Sequence, residues 1–282
     1  MAKHKTLDKI LALDPVKDHQ QIVFLTSAYE FPWDMTRALE FALFRTYAVP
    51  ETSALLAQTG EFVARAQKRY DDTDLLISEL YNYGYDSDHG RAALRRMNQQ
   101  HGRYTIANEN FLYVLTTFVF EPARWMDKYG WRAMTRHEKL AQFYFWRELG
   151  RYMNIKNIPD TIEELEAFNV AFERDHFRYD PTNTIIGGAT RDLLLSWYMP
   201  KSLIALGYPA VYALMDDPLR EAFGFPNPPE ALKKITAGAL RARSAVVRLL
   251  PERKQPFLRT QMRHRSYPNG YKIEELGPKI ES

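Results

Sequence analysis

The stretch RRMNQQHGRY, residues 95–104, sets one imidazole among arginines, amides and a glycine. A helix advances about 100° per residue. On that spiral Ala93, Leu94, Met97, His101 and Tyr104 fall within roughly 100° of one another, and Arg95, Arg96, Gln99 and Arg103 fall opposite. His101 is therefore expected to point inward with the apolar stripe, with Gly102 leaving Tyr104 at its margin. A buried neutral imidazole carries one donor and one acceptor, and each is costly if unpaired. Two arrangements meet that need: a core histidine bonded to a carbonyl or hydroxyl, or an axial ligand to a haem iron. Glu40 is a second inward-facing polar group, on one arc with Thr36, Leu43, Phe44 and Tyr47. Burial would raise its pKa and suit it to general acid–base work. The alternative is a rim carboxylate paired with Arg37 or Arg45.

Other chemistries are excluded by what the chain lacks. It has no cysteine, which removes disulfides, zinc ribbons, iron–sulfur clusters, thiolate-ligated haem and a cysteine nucleophile. No G-x-G-x-x-G, phosphate-binding loop or G-x-S-x-G elbow is present. His137-Glu138 lacks the second histidine of H-E-x-x-H, and His89 and His101 are too far apart for one helical face. A net charge of +3 is too small to point to nucleic acid, so RAALRR and the cationic tail read as solvated arginines. No window is apolar enough to span a membrane, and MAKHKTLDKILALDP lacks the apolar core of a secretion signal. The chain thus reads as soluble and cytoplasmic, with peripheral membrane contact through its basic final helix left open. Nothing in the sequence fixes an oligomeric state.

The elements that must position these side chains are helical. DMTRALEFALFRTYAVP repeats apolar residues every three or four positions and stops at Pro50. Capping boxes are expected at Thr135/Glu138 and Thr161/Glu164. Pro200, Gly207 and Pro218 divide residues 184–223 into three short helices, and prolines bracket a long last helix before residue 251. FLYVLTTFVF, residues 111–120, is apolar on every side. With Asn108 as its N-cap, it is predicted to be a helix buried all round, the central post of the fold. The expectation is one all-α domain over 1–282, with core helices from about residue 15 to about 250 and a basic, extended, partly disordered arm over 251–282.

Read in order, YEFPWDMTRALEFALFRTYAVPETSALLAQTGEF, QKRYDDT, RRMNQQHGRYTIANENFLYVLTTFVFEPARW and YGWRAMTRHEKLAQFYFWRELGRYMNI resemble the MpaB-type oxygenase family, related to the rubber oxygenase catalytic domain. The likeness runs from about residue 15 to about 200, and Arg-x-Asn-x-x-His-x-x-Tyr at 96–104 is its most specific part. The resemblance implies an all-helical fold enclosing a pocket for haem b, with His101 as the iron's axial ligand. It implies dioxygen as co-substrate and oxidation or cleavage of a carbon–carbon double bond in a lipophilic, isoprenoid-like small molecule or polymer. Thr59 looks like the threonine near the distal face, and Glu40 falls in the region of a glutamate proposed as base. Arg65, Lys68, Arg69 or the basic arm are the candidates for the haem propionates. Two departures stand out: Leu55 and Gln58 replace an arginine and a lysine of the rubber branch, and Leu115 stands where many members carry a second histidine. Against the oxygenase stand a non-catalytic helical carrier of haem or prenyl lipid and a scaffold in which His101 is an ordinary core residue.

Overall fold

The computed structural model describes residues 5–278, so the first four residues and the last four of the expected arm lie outside it. Its helices are α1 (Lys5–Ala12), α2 (His19–Leu25), α3 (Pro32–Tyr47), α4 (Pro50–Thr59), α5 (Glu61–Ala64), α6 (Ala66–Tyr83) and α7 (Asp88–His101). They continue as α8 (Asn108–Tyr129), α9 (Arg136–Tyr152), α10 (Ile162–His176), α11 (Pro181–Ser196), α12 (Ile204–Tyr212), α13 (Asp217–Ala222) and α14 (Glu230–Leu249). Among the described residues there is no strand, and the all-α expectation holds.

The expected central post is α8, buried from Leu112 to Met126 on nearly every side. It packs against α3, α9, α10 and α14, and Phe118 stacks on Trp146 of α9 at 4.6 Å. Both predicted capping boxes are formed. A second apolar cluster joins Phe44 and Tyr47 of α3 to Phe62, Ile186 and Phe223.

Four local expectations are corrected. Pro50 is the first residue of α4 rather than only a stop, as its fixed φ and missing N–H suit a first helical turn. Asn108 does not cap α8, whose N-cap is Ala107; its amide instead reaches across to the backbone of Lys156. Gly207 does not break a helix; it lies inside α12, whose backbone passes so close to Leu195 that a Cβ would stand 2.7 Å from it. Arg96 is buried, because the C-terminal arm covers that face of α7 and Arg96 Nε donates to the Leu276 carbonyl at 2.6 Å.

The arm, expected to be partly disordered, is held in place over its described length. Arg259 forks onto Asp74, Ser266 N donates to Asp71 at 2.8 Å, and the Tyr267 hydroxyl donates to Asp72 at 2.5 Å. Asp71, Asp72 and Asp74 all belong to α6, so the arm lies along that helix and reaches α7.

The position of His101 depends on how α7 meets α6. Ser87 caps α7 by accepting from Gly90 N at 2.9 Å. A Cβ at Gly90 would stand 1.9 Å from the Gly84 carbonyl oxygen and 2.7 Å from Tyr85 Cα, both backbone atoms. Gly90→Ala is expected to force α7 off this corner and to cost about 1–3 kcal/mol, read as a lower thermal midpoint. An unchanged midpoint would mean that the corner yields.

Candidate functional site

His101 closes α7 and its ring meets Phe111 of α8 edge to face at 5.3 Å. The residue is half-buried, but its Nδ1 is sealed from solvent and has no hydrogen-bond partner among the described residues. Burial pushes the imidazole down to about 4, and the Arg69 charge on α6 adds to the effect. The ring is therefore neutral at physiological pH, the form a metal-ligating histidine needs. Periodicity placed this side chain inward, but the carbonyl or hydroxyl that a satisfied core histidine would have is not there at Nδ1.

Glu40 is buried on α3. Arg37, one turn earlier, donates to its Oε1 at 2.5 Å, and the Tyr70 hydroxyl donates to the same oxygen at 2.7 Å. Burial pushes the carboxyl up to about 7 and outweighs Arg37 and Tyr70, which both favour the charged form. Glu40 lies in the wall between two clefts. The first, about 600 Å³ counting space open to solvent, runs between α3, α6 and the arm and is lined by Met35, Leu39, Ile77, Phe257 and Arg259. The second, about 410 Å³ on the same measure, runs between α3, α6 and α11 and is lined by Tyr47, Phe62, Arg69, Leu193 and Leu194. Apart from Glu40, Arg69 and a few hydroxyls, its walls are apolar. A carboxyl that titrates near neutrality between two clefts, the second of them largely apolar, can take or give a proton there.

A titration follows from this placement. Between about pH 4.5 and about 7 folded Glu40 holds a proton that the unfolded chain has lost. Its contribution to stability is full below the unfolded value and is lost as pH rises through the folded one. Glu40→Gln is expected to flatten the fall in thermal midpoint across that window. If wild type and variant lose equal stability there, another group titrates.

The sequence-predicted residues do not all converge. Arg69 lies near both predicted groups: it lines the second cleft with Glu40, sits 5.4 Å from the Phe62 ring centre, and its charge acts on His101. His101 is a wall of neither cleft. Thr59 ends α4 and donates to the Leu56 carbonyl at 2.7 Å; Arg65 is exposed and forked onto Glu61. Lys68 is held by Asp72 and the Tyr267 hydroxyl of the arm. The residues missed by the sequence reading are Arg37, as a fixed partner rather than an alternative, Tyr70, and the arm's Phe257 and Arg259. Tyr70 could have been found, since it shares an i, i+3, i+4, i+7 face of α6 with Thr73, Asp74 and Ile77. Phe257 and Arg259 carry no periodic signal.

Residues 41–249 match the family model described as ER-bound oxygenase mpaB/B'/Rubber oxygenase, catalytic domain. The chain is 29% identical over 239 residues to the ER-bound oxygenase mpaB' of Penicillium brevicompactum, covering 78% of the chain and 56% of that protein. It is 30% identical over 220 residues to the ER-bound oxygenase mpaB of Penicillium roqueforti (strain FM164), covering 72% of the chain and 74% of that protein. A second P. brevicompactum protein, ER-bound oxygenase mpaB, is 29% identical over 185 residues, 59% of the chain and 47% of its own length. The chain thus spans about half the length of two of these relatives.

Proposed function

We propose, because the chain belongs to the ER-bound oxygenase mpaB/B'/rubber oxygenase catalytic-domain family, that it is a haem b-dependent oxygenase acting on a carbon–carbon double bond of a lipophilic, isoprenoid-like substrate. The observation that carries this reading is His101: a neutral imidazole in the family-matched region, with a solvent-sealed nitrogen that no described protein group engages. A purely structural histidine would leave that nitrogen at a cost of about 1–3 kcal/mol. Ligation gives a neutral imidazole a use.

Two groups of the needed chemistry support this reading, the unpartnered imidazole and a nearby cation, while His101 itself lines neither cleft. His101 would hold the iron, and Arg69, which lines the second cleft, would meet a propionate. Haem b, when bound, would supply the site at which dioxygen is activated as the oxidant of an alkene. The rest falls to the chain. Tyr47, Phe62, Leu193 and Leu194 offer an alkene an apolar wall and exclude water from it. Arg37 and Tyr70 fix the direction of the Glu40 carboxyl, whose Oε atoms hold or release a proton near neutral pH. The Thr59 hydroxyl would have to leave the Leu56 carbonyl to reach a ligand, and Arg65 would have to leave Glu61.

Protein supplied with haem b and a reductant should consume oxygen when a polyprenyl alkene is added and yield an oxidised alkene, a carbonyl product if the bond is cleaved. Haem-bearing protein that takes up no alkene-dependent oxygen would leave a carrier, and the oxygenase reading would fall.

A further inference from the structure

The last long helix, α14, turns an apolar face outward. Its inner side is fixed: Leu240 and Val247 pack on the core, the Ser244 hydroxyl donates to the Tyr129 carbonyl, and Arg243 holds Asp34 at 2.8 Å. Rotation of the helix to bury its other face would break all of these contacts. On the opposite side stand Ile235, Ala239, Ala242, Val246 and Leu249, in one stripe at helical spacing. Ile235 is 66% exposed, Val246 58% and Leu249 85%, too much for side chains at the edge of a core. The neighbouring α12, which packs against α14, adds Leu206 at 74%, with Leu203 just before it also exposed. Exposed apolar side chains set in one stripe of a helix, with more on a helix packed beside it, mark an interaction surface.

Charge decides the occupant. Lys234, Arg241 and Arg248 recur every seven residues, each one position before Ile235, Ala242 and Leu249. They form a row of cations along one edge of the apolar stripe, and Arg248 is braced by the Trp131 carbonyl. Residues 230–254 hold seven lysines and arginines against two glutamates. A second copy packed antiparallel through this face would set the row against itself, Arg241 facing Arg241, as a two-fold interface requires. A surface that is apolar below and anionic at the level of the cations has no such conflict.

We infer that the outward face of α14, extended by α12, is a docking surface for an anionic phospholipid bilayer, on which the protein lies without crossing it. An apolar stripe edged by lysine and arginine is how an interfacial helix seats itself at the headgroup boundary. None of the described helices is long and apolar enough to span a bilayer. This surface is separate from His101 and both clefts, and it stands or falls independently of the oxygenase reading.

The test is sedimentation of the full chain with vesicles of phosphatidylcholine alone or mixed with phosphatidylserine. Binding is expected on the mixed vesicles, weak on the neutral ones, and reduced by salt. Paired Ile235→Asp and Leu249→Asp should lower binding about tenfold or more. Paired Lys234→Glu and Arg241→Glu should lower it by about fivefold per charge or more and abolish the lipid-charge preference. All four positions are outside the core, so circular dichroism and thermal midpoint should stay those of the wild type. The inference is overturned by equal binding of wild type and variants, or by no vesicle binding at all. A wild-type dimer that Ile235→Asp and Leu249→Asp dissociate, without vesicle binding, would overturn it in favour of a second copy.

Discussion

His101→Ala is expected to leave a folded protein that no longer retains haem. The imidazole makes no hydrogen bond through its sealed Nδ1, so its removal strands no polar partner there. In apolar packing the substitution removes the edge-to-face meeting of the imidazole with Phe111. Far-ultraviolet circular dichroism should keep its helical strength while the haem-to-chain ratio falls. Loss of a partner that merely orients a ligating side chain costs about 10–100-fold in affinity, and loss of the ligand should cost no less. Added imidazole, which fits the space vacated, should restore part of the haem absorption. A variant with full occupancy and an unchanged spectrum would remove His101 from the site.

The largest loss of stability is expected from Arg45→Ala. Arg45 is buried where four helical segments meet: its guanidinium donates to Glu173 of α10 at 2.8 Å and to Asp216, the N-cap of α13, at 2.6 Å. Glu121 of α8 lies 3.5 Å away, and the Tyr113 hydroxyl donates to Glu173 at 3.1 Å. Burial alone would push Asp216 up, but Arg45 outweighs it and holds the carboxyl below its usual range. Without Arg45, Arg124 is the one cation among the described residues left facing Glu121 and Glu173. Removing one partner from a buried ion cluster costs about 3–5 kcal/mol. At this chain length that corresponds to a fall of about 5–8 °C in thermal midpoint, and calorimetry measures it. A loss within about 0.5 kcal/mol, the range of ordinary surface changes, would show that the carboxylates find water or protons instead. Because Asp216 is held low, the wild type should also lose this contribution as pH falls through the carboxylate range.

What could be read from the sequence was whatever depends on local period. The inward turn of His101 follows from its spacing to Ala93, Leu94 and Met97, and the capping boxes follow from Thr and Glu three residues apart. The central post was legible because no face of residues 111–120 is polar. What could not be read rests on contacts between distant residues. Arg96 looks solvated on a wheel and is buried only because Leu276 comes to lie over it. The arm looks disordered by composition, yet its arginine, serine and tyrosine meet a row of aspartates on α6. Arg45 had appeared only as a possible partner for Glu40; its actual partners come from α8, α10 and the start of α13. Glu40 took Arg37, the nearer choice at i−3 on the same helix. The first cleft closes only once Phe257 and Arg259 arrive from the arm.

Whether this helical fold holds haem b is decided by one absorption spectrum. The purified wild-type chain is supplied with haem b, freed of excess and measured, and its pyridine haemochrome is then recorded. With His101 as the iron's ligand, the chain should show a Soret band, a b-type haemochrome and a haem-to-chain ratio near unity. Folded protein that passes through the same treatment without a Soret band would contradict haem binding, and with it the role given to His101.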